Sequence, residues 1–274
     1  MTLDRPVRRS RQRGSAYLIA LGGCLGLAVV AVMVLAFATR LVDRAVGVQD
    51  LTRAEAVADG LLHRAVFALL DEGERGRLPR DGTPLEADFL GHRTRLSIQD
   101  VRGLVDLNAV EPDLLRALFE RVGLSPRQME QAVEALLEMR RPRSGDIAQP
   151  LVHATALDRL PGLEGPTKDR LLPLVTVHSG AATIDPWSAP GPVLEAATGA
   201  PAEEVAAFLL ARRAGAGIAP PESFARGPFA ISDGRVFALL AEVLGEDGRT
   251  LVRRRAVVRL APVGPTPYRF LEYR

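Results

Sequence analysis

The chain has 274 residues, enough for an anchor and one or two modest domains, and a formal net charge of +2. Five arginines against Asp4 put +4 on residues 1–14 and leave −2 on the rest, so the basic balance belongs to the N-terminus and gives the body no general affinity for nucleic acid. Aromatic residues at 5% argue against base-stacking surfaces, and a single cysteine, Cys24, excludes an internal disulfide and a cysteine-built metal site.

In chain order, the basic leader 1–14 is followed by Ser15–Ala38, 24 residues without a charge, closed by Arg40. As a helix this run reaches about 36 Å at ~1.5 Å per residue, against a bilayer core roughly 30 Å thick. Residues 15–39 are therefore the expected transmembrane helix. The arginines before it keep the N-terminus in the cytoplasm and put the body outside the membrane. A cleaved secretory signal would have a shorter apolar core ending in small residues, and the run here is too long. A plain signal anchor is the simple alternative. Beyond the run, Leu51, Ala54, Ala58, Leu61, Ala65 and Leu69 recur at helical spacing, and no proline stands between Pro6 and Pro79. One long helix is expected from Ser15 to about Leu70, with 40–72 its continuation outside the membrane and Gly73 and Gly76 ending it.

Pro79–Pro84 reads as loop and His92–Val101 as a strand. Val236–Leu244 and Thr250–Leu260 read as strands flanking the hairpin signature Gly245-Glu-Asp-Gly248, and Tyr268–Tyr273 as a last strand. Between them, about Gly103 to Ser232 reads helical and repeats. Asp106-Leu-Asn-Ala109 leads to Leu114-Leu115 and Arg140-Arg141; Asp185-Pro-Trp-Ser-Ala189 leads to Val193-Leu194 and Arg212-Arg213. Trp187 is expected to anchor the second repeat's core, and the double arginines to be solvated helix ends that complement the dipole. The expected fold class is α+β: a long N-terminal helix packed on a small antiparallel sheet formed by 73–102 and 233–274, with 103–232 an inserted all-α domain of helix-hairpin-like repeats.

The junction Arg13-Gly14-Ser15-Ala-Tyr-Leu-Ile19 resembles the prepilin-peptidase site of the type IV pilin-like superfamily. Three further blocks widen the resemblance to the K-type minor pseudopilins of type II secretion systems: Asp100–Ala109, Arg170–Val177 with Ile184–Leu194, and Pro267–Arg274. The resemblance implies cleavage between Gly14 and Ser15 and an N-methylated terminus at Ser15. It implies a single-pass protein of the bacterial inner membrane with its bulk in the periplasm. Its partners would be the prepilin peptidase and the I- and J-type minor pseudopilins, with which it would cap the pseudopilus tip during export across the outer membrane. Most such proteins carry glutamate at mature position five, where this chain has Ile19. A carboxylate in lipid is costly unless paired, and a subunit with no neighbour above it has no terminal amine to pair with.

Two departures from the family's pattern stand out. Related chains carry an aspartate-rich segment suited to calcium, where Glu138–Asp146 here has arginines, so no cofactor is expected and any calcium ligands are lost. An asparagine expected in the second repeat is replaced around Pro186-Trp187, so the local geometry is expected to differ. Leu157–Gly162 with Gly165, and the stretch from Arg212-Arg213 to Phe224, resemble helix-hairpin-helix units, which makes a membrane-anchored DNA-binding receptor the alternative. The acidic body opposes it, and no nucleic-acid partner is expected. His63, His92, His153 and His178 are widely spaced with no nucleophile or ligand partner in view, so neither a catalytic nor a metal site is expected and the chain reads as non-enzymatic.

Overall fold

The computed structural model describes residues 12–141, 150–215, 219–232, 234–261 and 266–274. Helix α1 runs Gln12–Leu70. The chain divides into two compact units, Met1–Arg53 and Ala54–Arg274. In the first, the described side chains of the apolar run, among them Leu21, Leu25, Leu27, Met33 and Phe37, are exposed. Among the described residues no helix is long and apolar enough to cross a membrane.

The second unit contains a five-stranded antiparallel sheet, ordered β1-β2-β5-β6-β7. Its members are β1 (Asp81–Phe89), β2 (His92–Asp100), β5 (Val236–Leu244), β6 (Thr250–Leu260) and β7 (Tyr268–Tyr273). Alternation gives the sheet two faces. One presents Ile98, Phe237, Leu239, Ala241 and Val258 to α1, which buries Ala54, Ala58, Leu61, Leu62, Ala65 and Leu69 against it. Each fully buried Leu, Ile or Phe contributes roughly 1.5–3 kcal/mol. At the rim, Arg254 reaches Glu55 and Asp59 of α1, both at 3.3 Å, and the Tyr273 hydroxyl donates to Asp59 at 2.7 Å.

Three local expectations are corrected. The helix stops at Leu70, before the glycines, because Asp71 caps a separate short helix α2 (Glu72–Arg75) by accepting from the Glu74 amide at 3.0 Å. The loop expected over Pro79–Pro84 gives way at Asp81 to β1, which tolerates Pro84 because it is an edge strand with an irregular register there. The segment between β2 and β5 is not wholly helical: β3 (Val105–Asp106) and β4 (Val175–Thr176) pair in parallel. Around that ladder lie α3 (Pro112–Arg121), α4 (Pro126–Arg140), α5 (Pro166–Leu171), α6 (Gly191–Thr198) and α7 (Ala202–Arg213). They share a core that includes Leu107, Leu115, Phe119, Leu136, Leu171, Val193 and Phe208.

Candidate functional site

The internal repeat is built on two equivalent turns. In the first, the Asp106 carboxylate accepts from the Asn108 amide at 2.8 Å, and its carbonyl accepts from Ala109 and Val110. In the second, the Asp185 carboxylate accepts from the Trp187 amide at 3.0 Å, and its carbonyl accepts from Ser188 and Ala189. Each turn feeds a helix pair, α3–α4 and α6–α7. An arginine at the end of each pair returns to the turn that opened it. Arg140 donates to the Leu107 and Val110 carbonyls at 2.6 and 2.8 Å, and Arg212 to those of Pro186 and Ala189 at 2.9 and 2.8 Å. The accepting carbonyls stand one and four residues after the aspartate in both copies. Arg140 and Arg212 are therefore inward anchors and not solvated helix ends. Burial lowers both guanidinium pKa values, and each remains a cation.

The second turn keeps its backbone form despite the replaced asparagine; the side chain's role is what differs. Asn108 ties the returning chain by donating to the Leu151 and Val177 carbonyls and accepting from the Leu151 amide. Trp187, half-buried, packs on Phe208 with ring centroids 5.6 Å apart.

The second repeat is fastened to the sheet. Arg212 pairs with Asp81 of β1 at 2.8 Å, both side chains under 10% exposed. Burial raises the Asp81 pKa, but the hydrogen bond from the Thr83 amide and the charge of Arg212 outweigh it and leave the carboxyl below its ordinary value. Gln99 donates to the Asp100 and Ser188 carbonyls, both at 2.8 Å. Gly103 lies so close to the Ser188–Ala189 backbone that a Cβ there would overlap it. Asp100, 2% exposed, ends β2 and accepts from the Arg102 amide at 3.0 Å, and Gly234, where the chain returns to the sheet, packs on its carboxylate. Burial pushes Asp100 up to about 6, with Asp185 adding to the shift while Arg80 and Arg102 oppose it.

The sheet face turned away from α1 meets residues 172–178 across a cleft of about 290 Å³. At its edge Glu272 of β7 takes His178 Nε2 at 2.8 Å and His153 Nδ1 at 3.4 Å on one carboxylate oxygen. Burial raises the Glu272 pKa, but the two histidines and Arg274 bring it below the ordinary value.

Gly14, Ser15 and Ile19 fall on the first turns of α1, and their side chains lie outside the described residues. Asp146 lies outside them too, with the rest of 142–149. Glu138 is held by Arg141 at 2.7 Å, so the described part of that stretch offers one occupied carboxylate where calcium takes six to eight oxygens. Among the described residues no group of three or more His, Cys, Asp or Glu is placed to hold a metal ion. In the hairpin between Ala154–Arg159 and α5, Lys168 pairs with Asp158 at 2.7 Å.

No protein-family profile matches the chain, and no curated protein matches it in sequence. A solved structure is similar in fold. A chain of the GspK-GspI-GspJ complex from the enterotoxigenic Escherichia coli type 2 secretion system superposes with a TM-score of 0.53 at 17% identity, over 82% of this chain and 95% of that one. The chain has a GspK-like fold.

Proposed function

We propose that the chain is a membrane-anchored minor pseudopilin of a type II secretion system, a structural subunit without catalysis. The observation that carries this is architectural: a helix-backed antiparallel sheet interrupted between β2 and β5 by a two-repeat helical insert, superposing on a chain of the GspK-GspI-GspJ complex. The uncharged Ser15–Ala38 run is the proposed anchor in the inner membrane, and the body faces the periplasm. I- and J-type minor pseudopilins are the proposed partners. Ile19 supports a place at the tip, where no amine from above would pair a carboxylate. The insert between β2 and β5 supports the same place, since a head enlarged in this way resists stacking of identical copies at a short axial rise. Calcium plays no part in this reading.

Processing tests it first. Co-expression with a prepilin peptidase is expected to remove residues 1–14, with mass spectrometry placing the new, methylated terminus at Ser15. Gly14→Val is expected to abolish cleavage, because a side chain there obstructs the peptidase. An unchanged N-terminus beside an active peptidase leaves a plain signal anchor.

A further inference from the structure

Arg255 stands apart from the other cations of the sheet face that lines the cleft. Strand alternation puts it on that face with Val257, in register with Leu240 of β5 on one side and Arg274 on the other. Its neighbours are engaged. Arg253 grips Glu242 through Nε and Nη2 at 2.9 and 2.7 Å, and Asp81 holds Arg212. Glu272 is shared by His178, His153 and, at 3.9 Å, Arg274. The Arg255 side chain has no hydrogen bond and no ion pair among the described residues, and it is open to solvent. Burial nonetheless lowers its pKa, because protein surrounds it on most sides, and Glu272 only partly compensates. A guanidinium in a concave, partly desolvated place with unused donors is a site for an anion, and its planar fork suits a carboxylate.

The rest of the lining sets the ligand's other end. Leu172, Leu174, Val177, Leu240 and Val257 give the cleft apolar walls beside that cation. At about 290 Å³ it stands at the lower limit for ligand pockets, room for one or two residues and no more. Glu272 would repel an anion, but its carboxylate is already engaged by His178 and lies 3.9 Å from the Arg274 guanidinium.

We propose that this cleft binds a carboxylate joined to a small apolar group, the chemistry shared by the C-terminal residue of a peptide and a short fatty acid, with Arg255 as the carboxylate anchor. The site is independent of the chain's place in a filament. The test is calorimetric titration of the full chain in non-ionic detergent with N-acetyl-glycyl-leucine as the free acid, with its C-terminal amide, and with hexanoate. The free acid is expected to bind and the amide to bind about tenfold to a hundredfold more weakly, the loss of a charge-assisted pair. Arg255→Gln is expected to cost the acid a similar factor and leave the amide unaffected. Hexanoate binding as well as the peptide acid assigns the site to fatty carboxylates; weaker binding assigns it to chain ends. Equal binding of acid and amide, no binding of either acid, or an Arg255→Gln chain that binds as before overturns the proposal. Should that variant fail to fold, the acid-to-amide ratio on the unaltered chain decides.

Discussion

Arg212→Met should lower the stability of the unit 54–274 by about 3–5 kcal/mol, the cost of breaking a buried ion pair from one side. The arginine does two jobs at once: it satisfies the Pro186 and Ala189 carbonyls and neutralises Asp81. Methionine fills much of the same space but leaves the Asp81 carboxylate buried opposite nothing. For a unit of this size the melting temperature should fall by roughly 10 °C. Arg140→Met should cost less, about 2–3 kcal/mol, because two carbonyls lose their donor but, among the described residues, no carboxylate within 4 Å is stranded. Asp81→Leu combined with Arg212→Met should recover part of the loss, since neither charge then remains alone. Denaturant titration of the four chains checks this. An Arg212→Met chain as stable as the parent would show that the fastening of insert to sheet does not depend on this pair.

Lowering the pH from 7 to about 5 should stabilise the unit, against the usual behaviour of carboxylate-rich proteins. Asp100 titrates near 6 in the folded chain and near 3.8 when unfolded, so the folded state holds the proton more tightly. Stability is then greatest where Asp100 is protonated and falls as pH rises from about 4 to 6, by on the order of 3 kcal/mol for a two-unit shift. Asp185 is shifted in the same direction, chiefly by burial, and adds to the slope. Asp81 and Glu272 are shifted downward, so their contribution is lost as pH falls from their ordinary values of 3.8 and 4.5 through their lowered ones, at the acid end of the Asp100 window and below it. Asp100→Asn should flatten the profile between pH 4 and 6 and leave the acid limb intact. A wild-type profile that rises with pH across that window would contradict the assignment.

Much of the fold was legible because its signals are local. The runs that form β5 and β6 are rich in β-branched and apolar residues, and Gly245–Gly248 marks the hairpin between them, with Gly248 at φ 77°. β1 escaped because an edge strand can hold Pro84, and because its turn into β2 uses Leu90 at φ 51°, a residue with no turn preference. The repeat was visible in the spacing of its aspartates, yet the role of Arg140 and Arg212 was not. Their partners lie 23 to 33 residues back in the chain, and an arginine pair at a helix end looks the same whether it points outward or returns to a turn. The Arg255 cleft left no mark at all. It forms from positions on several strands, among them Leu240, Arg255, Val257 and Glu272, and from a segment some eighty residues before Arg255, and only the folded register brings them together.

The most direct test of the central reading is the position and copy number of this chain in an assembled pseudopilus. Filaments purified from cells that express it with its I- and J-type partners would be crosslinked and quantified by mass spectrometry. The account predicts one copy per filament, crosslinked to both partners and confined to one end. Ile19→Glu should not change this, because the insert still blocks stacking. Finding the chain repeated along the shaft at the stoichiometry of the major subunit would contradict it.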